Sequence, residues 1–187
     1  MDVNWSGPHA WPGFEKINGL PPLPDHGGIY LQTFEHCDGG YVLYAAGITR
    51  NRFRRRFMQH NRAYLNGDYN ILDPAQARNG VRSEIWHGWT VARQPAKRVE
   101  YAERRAELQE AAQRQLAEFR IFVADVEPHN RMPDRLEAAI MNRLYADAAP
   151  LPDEGMFLAP RWEGETPVCV SNACASHLLG LPERLWI

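Results

Sequence analysis

Five side chains spread along the sequence could together cut a phosphodiester: Tyr30, Tyr44, Arg56, His60 and Glu137. Such a cut needs a water to lose its proton, an anionic five-coordinate phosphorus to be stabilised and a leaving oxygen to be neutralised. Arginine meets the second need, because its planar fork matches phosphate oxygens. A carboxylate can hold a divalent cation that polarises the phosphate and screens the leaving group. A tyrosine or histidine beside that metal and the arginine can serve as base once its pKa is matched to the task. Each residue also has an ordinary use: a strand tyrosine, a solvated arginine face, a hydrogen-bonded histidine, a surface glutamate. The ordered combination carries the chemistry; no member does so alone.

These side chains need elements to hold them. Residues 28–34 and 41–46 read as two strands joined by a turn containing Gly39-Gly40, hence a β-hairpin. From Asn51, which can cap a helix, the pattern turns helical as far as Tyr64. Phe53, Phe57, His60 and Tyr64 recur at steps of four, three and four, which is one helical face. Arg52, Arg56 and His60 sit one turn apart on an adjacent stripe, so Arg56 and His60 can reach one small target. Residues 120–126 read as a third strand, and Met132 to Asp147 as a second helix. Pro133 and Asp134 suit the first turn of that helix; Leu136, Ile140 and Leu144 form its buried stripe, with Glu137 at the edge.

The remaining segments read as support. Residues 1–25, rich in proline, glycine and tryptophan, predict an extended arm packed down by Trp5 and Trp11. Residues 66–95 carry turn signals at Asn66-Gly67-Asp68, Asp73-Pro74 and Asn79-Gly80, and residues 81–91 read as a short strand or irregular packed segment. Residues 96–118 predict one long polar helix with a narrow stripe of Tyr101, Leu108, Ala112 and Leu116. Residues 149–167 read as a long loop, and 172–179 as a short closing helix.

The totals narrow the classes. At 187 residues, one domain with a sizeable core is the simplest organisation. The net charge of -2 argues against a protein that coats nucleic acid without regard to sequence. The distribution says more: Arg50, Arg52, Arg54, Arg55, Arg56 and Arg62 fall in one short segment with no acid among them. No apolar run is long enough to span a bilayer, and Met1–Trp5 lacks the features of a signal peptide, so the expected location is the cytoplasm. Cys169, Cys174 and His177 do not have the spacing of a zinc site, and with Cys37 they read as free thiols in a reduced compartment.

Gly28-Ile29-Tyr30, a strand ending in Gly47, and then Arg56 and His60 on a helix resemble the GIY-YIG nuclease superfamily. The first motif matches letter for letter. The helix from Asn51 to His60 resembles that family's first helix, and Glu137, after the third strand, falls where the family places its metal-binding glutamate. The resemblance covers residues 28–60 and, more loosely, 119–148. It implies an α+β fold with a small central antiparallel three-stranded sheet flanked by helices. Residues 1–25 and 149–187 would wrap this core, and 66–118 would be an insertion carrying the long helix.

It also implies function: an endonuclease dependent on Mg²⁺ or Mn²⁺, cutting double-stranded DNA to leave a 5′-phosphate and a 3′-hydroxyl. Tyr30, assisted by His60, would activate water; Arg56 would bind the scissile phosphate; Glu137 would hold the metal. Arg50, Arg52, Arg55, Arg62 and Asn172 would contact the nucleic acid, with Asn142 a rival to Asn172. The chain departs from the pattern at the second motif. Ala45 stands where a tyrosine is expected, and Tyr44 lies three residues before Gly47. A one-residue shift turns a strand side chain to the other face, so either a bulge restores the direction of Tyr44 or Tyr44 is structural. Counting from Gly47 selects Arg55 as the phosphate arginine; counting back from Phe57 and His60 selects Arg56. A nucleic-acid-binding module of the same fold without turnover is the alternative reading.

Overall fold

A computed structural model describes residues 1–88, 94–126, 131–147, 149–152 and 158–187. Its centre is the hairpin of β2 (Gly28–Glu35) and β3 (Tyr41–Thr49), with β6 (Phe119–Ala124) on the other side of β2. Both partners of β2 run antiparallel to it. Ile29, Tyr30, Leu31 and Phe34 in β2, with Ile121, Phe122 and Val123 in β6, are buried on both faces. That is why these segments read as nearly unbroken apolar runs.

The expected three-stranded sheet is overturned. β3, β2 and β6 are the middle of a seven-stranded mixed sheet, and a separate two-stranded sheet lies beside it. The large sheet runs β8-β3-β2-β6-β1-β7-β9, where β1 is Asp2–Ala10, β7 Cys169–Cys174, β8 Leu178–Leu179 and β9 Arg184–Trp186. The arm expected to be packed down by Trp5 and Trp11 therefore supplies a sheet strand. β1 pairs antiparallel with β6 and parallel with β7. The closing helix expected near 172–179 is β7 and β8 instead. An edge at β1 offers unpaired backbone N–H and C=O groups, and the Val, Ser, Asn and Cys of β7 have weak helix propensity, so pairing wins.

The sheet carries a layer on each face. On one lie α2 (Phe53–Leu65) and α5 (Arg105–Glu118), over a core of Trp11, Tyr30, Phe34, Phe57, Tyr64 and Phe119. On the other lies α6 (Met132–Ala146), whose Leu136, Ile140 and Leu144 meet Ile29, Leu31 and Leu43. α2 starts two residues later than its sequence pattern, and Asn51 does not cap it; the first helical N–H, of Phe53, donates to the carbonyl of His26.

Between α2 and β6 the chain folds as β4 (Ile71–Leu72), α3 (Pro74–Arg78), β5 (Glu84–Trp86) and α4 (Pro95–Glu103) before α5. Asp73 caps α3 by accepting from the backbone of Ala75 and Gln76. The single long helix expected over 96–118 is two helices that meet at Arg104. Part of the 81–91 strand expectation and of the 149–167 loop lies outside the described residues. Among those described, no helix is long and apolar enough to cross a membrane.

Candidate active site

Tyr30 is the centre of the arrangement. It sits on β2 facing α2, and its side chain is 2 % exposed. α2 places His60 and Arg56 one turn apart, as the stripe predicts, and both reach the Tyr30 hydroxyl. His60 Nε2 lies 2.8 Å from it, and Arg56 Nε donates to it at 3.4 Å. Because the phenol oxygen accepts from Arg56, its own proton is left to point at His60 Nε2, which puts the imidazole proton on Nδ1. That Nδ1 is buried and has no hydrogen-bond partner among the described protein atoms.

Gly47 explains itself here. It pairs with Tyr30 across the hairpin, and a Cβ on it would lie within 2.4 Å of the Tyr30 ring carbon that bears the hydroxyl. The glycine is required by close approach, not by its backbone angles. Phe53 and Phe57 hold the Tyr30 ring edge-on, at 6.2 and 5.0 Å. The sequence contrast that singled out Gly47 is thus the space the phenol occupies.

Burial shifts Tyr30, His60 and Glu137. It pushes the Tyr30 phenol up to about 12, only partly opposed by the hydrogen bond and charge of Arg56. Burial, with the Arg56 guanidinium beside it, pulls His60 down to about 3. His60 is therefore a neutral imidazole near neutrality. Burial, with the negative charge of Asp134, raises Glu137 to about 7 against the pull of Arg56 and Arg50. Glu137 acts electrostatically on Tyr30, and both act on Arg56. The glutamate from α6 is thus within electrostatic reach of the tyrosine from β2 and the arginine from α2.

Glu137 is the carboxyl group of this cluster that would hold a metal. A half-buried carboxyl raised by burial and a like charge gains most from a divalent cation, which removes both penalties. Mg²⁺ and Mn²⁺ accept one or two carboxylates, with waters and phosphate oxygens completing the shell. The one group of three metal-binding side chains among the described residues, His36, Cys37 and Asp38, lies in the β2–β3 turn and does not include Glu137.

The other sequence candidates scatter. The β2–β3 register slips between Gln32 and Thr33, so Ala45 pairs with Gln32, Leu43 with Thr33, and Tyr44 is the bulged residue. The bulge turns Tyr44 onto the face of Tyr30, where its ring packs against Phe34 and Phe119 at 6.2 and 5.5 Å. Of the two rival arginines, Arg56 meets Tyr30, while Arg55 is exposed in a groove with Arg52, Arg54, Met58 and Pro22-Leu23-Pro24.

Arg50 is paired with Asp134 at 2.7 Å and Arg52 with Asp25 at 2.9 Å. Arg62 is exposed in the last turn of α2. Asn172 lies on β7, beyond β6 and β1; it accepts from the Trp5 indole and donates to the Pro182 carbonyl, so it ties strands together. Asn142 clamps the backbone of Leu158 through both ends of its amide.

One residue at the cluster has no signal in the sequence. Tyr69 follows the Asn66-Gly67-Asp68 turn, its ring 5.7 Å from His60 and 5.1 Å from Tyr64. Its phenol acts electrostatically on both Tyr30 and Arg56. A lone tyrosine after a turn has no periodicity to mark it. Comparison with protein-family models, with curated proteins and with solved structures returned no match for the chain.

Proposed function

We propose that this chain is an endonuclease of the GIY-YIG kind that hydrolyses double-stranded DNA in the cytoplasm. The observation that carries the reading is the Tyr30 phenol, bridged to His60 and Arg56, with the Glu137 carboxyl within electrostatic reach. In this reading Tyr30 takes a proton from the attacking water while passing its own to His60 Nε2. The water oxygen bonds to phosphorus as the bond to the 3′ oxygen breaks, leaving a 5′-phosphate, and solvent protonates the 3′ oxygen. Arg56 neutralises charge on the phosphate. Glu137 would hold one Mg²⁺ or Mn²⁺, which supplies Lewis acidity at the phosphate and the leaving oxygen. The exposed Arg54, Arg55 and Arg62 on α2, for which no acid partner occurs among the described residues, would meet flanking phosphates.

A second reading is a nucleic-acid-binding module of the same lineage without turnover. It is favoured by the near-complete burial of Tyr30 and by the wide gap between a phenol raised to about 12 and an imidazole lowered to about 3. That gap makes proton transfer costly until substrate and metal change the field. Incubation with plasmid and oligonucleotide DNA and RNA in Mg²⁺ or Mn²⁺ separates the two. The nuclease reading expects cleavage that Arg56→Ala and Glu137→Ala each reduce by about 10²-fold or more. It fails if nothing is cut in any condition, or if both variants cut as the wild type does.

A further inference from the structure

We propose that the turn between β2 and β3 is a Zn²⁺ site, with His36 Nδ1, the Cys37 thiolate and the Asp38 carboxylate as ligands and water in the fourth position. It stands apart from the nuclease reading. His36 lies six residues beyond Tyr30, about 20 Å away at the rise of a strand. The three side chains offer one ligand atom each, and these atoms lie within 4.8 Å of one another. Asp38 Oδ2 is 4.0 Å from His36 Nδ1. Tetrahedral bonds of about 2.0–2.3 Å set neighbouring ligand atoms about 3.3–3.5 Å apart, so the group needs to close by about 1 Å. Cys37 and Asp38 are exposed, and rotation of their side chains supplies that movement.

The turn is prepared for an ion. The Asp38 N–H donates to His36 Nδ1 at 3.3 Å. That bond needs an unprotonated Nδ1, so the ring carries its proton on Nε2 and already has the tautomer that ligation requires. The bond is long, and an ion replaces it at little cost. The backbone is fixed from both sides. His36 donates to the Gly40 carbonyl at 2.9 Å, Gly39 to the His36 carbonyl at 3.0 Å, and Cys37 to the carbonyl of Arg78, at the end of α3, at 2.9 Å. The imidazole is 19 % exposed and the Asp38 side chain 89 %, so a fixed ring waits for a carboxylate and a thiol that can swing onto the ion. Among the described residues the Cys37 thiol has no disulfide or hydrogen-bond partner, and Asp38 pairs with no lysine or arginine, so no competing bond has to break. The donor set selects the ion. Thiolate and imidazole suit Zn²⁺, whereas Mg²⁺ and Mn²⁺ prefer oxygen shells such as Glu137 would begin. As the Zn–S bond forms, the thiol proton passes to solvent.

Titration of the full chain, free of any affinity tag, with Zn²⁺ and with Co²⁺ as its coloured substitute tests the site. The wild type should bind Zn²⁺ with release of a proton, and its Co²⁺ complex should show a thiolate-to-metal charge-transfer band. Cys37→Ser and His36→Gln should each weaken Zn²⁺ binding at least about 10-fold and remove the band. Glu137→Gln should keep both, and excess Mg²⁺ should not displace the ion. If His36→Gln unfolds, Cys37→Ser decides, because its thiol holds no partner in the fold. A wild type that binds no Zn²⁺, a Co²⁺ complex without the thiolate band, displacement by Mg²⁺, or equal affinity in Cys37→Ser overturns the assignment. None of these measurements reads cleavage, so the site and the nuclease reading fail separately.

Discussion

The two faces of the central sheet are built from different residues. Under α2 and α5 the core is aromatic: Trp11, Tyr30, Phe34, Tyr44, Phe53, Phe57, Tyr64 and Phe119. Under α6 it is mainly aliphatic, with Ile29, Leu31, Leu43, Leu136, Ile140, Leu144 and Val170. Aliphatic side chains can only fill space. Tyrosine and histidine fill space and end in a polar tip that must find a partner. The aromatic layer can therefore be core and candidate site together, as at Tyr30 and His60. The aliphatic layer contributes to the site only at its margin, where Glu137 leaves the buried stripe of α6.

That contrast can be broken most directly by paired substitutions. Leu136→Ala, in the aliphatic layer, should cost about 2–5 kcal/mol of stability while the folded fraction keeps its cleavage rate. Gly47→Ala should cost less, about 1–3 kcal/mol, because the Tyr30 ring must move away from the new methyl group. It should nevertheless lower kcat about 100-fold by shifting the phenol from His60 and Arg56. Denaturant melts with single-turnover cleavage on the same samples test both. Equal kinetic losses in the two variants would erase the distinction between the faces.

How much of this could be read in advance differs along the same divide. The helical face of Phe53, Phe57, His60 and Tyr64, and the stripe of Arg52, Arg56 and His60, were legible because periodicity encodes a direction. So was the place of Glu137 beside Leu136. The bulge at Tyr44 was not decidable, since one skipped residue changes the face and leaves no compositional mark. The width of the sheet was missed because β1 and β7 are built by pairing between residues 2–5 and 171–174, and long-range pairing is invisible to local pattern. Asn172 illustrates the consequence: without β7, its bond to Trp5 could not be foreseen. The break at Arg104 and the placing of Tyr69 likewise depend on what packs against them.

Titration gives a subtler test, because the two layers contribute slopes of opposite sign. His60 is lowered from 6.5 to about 3 in the fold, so below pH 6.5 the unfolded chain binds a proton that the native one refuses. Its contribution to stability is complete above 6.5 and is lost as pH falls toward 3. Glu137 is raised from 4.5 to about 7, so the native state holds the extra proton, and stability declines as pH rises from 4.5 to 7. Between about 4.5 and 6.5 the two oppose one another, each by up to about 1.4 kcal/mol per pH unit. Relative to wild type, His60→Gln should expose a falling slope across that window and Glu137→Gln a rising one. Glu137→Gln should also be more stable than wild type at pH 8 while losing Mn²⁺ binding. In the wild type, Mn²⁺ affinity should rise with pH until it levels off above 7. Parallel stability profiles for the two variants would show that these groups do not titrate as their surroundings dictate.

The smallest effect concerns the arginines, and it distinguishes residues that look equivalent in the sequence. Arg50 and Arg52 spend their charge on Asp134 and Asp25, so bringing a phosphate to them displaces a carboxylate more than it releases counterions. Arg54 and Arg55 line the exposed groove beside α2 together with Glu15 and Asp25, but neither arginine forms an ion pair among the described residues. Arg55→Gln should therefore reduce the dependence of DNA affinity on salt by close to one unit of log–log slope, and Arg52→Gln by clearly less. Affinity for a DNA duplex in Ca²⁺, measured from 50 to 300 mM salt, reads the difference. Equal slopes for the two variants would mean that the Arg52–Asp25 pair opens when DNA arrives, as an exposed ion pair worth less than about 1 kcal/mol can do. The basic segment would then act as one undivided surface.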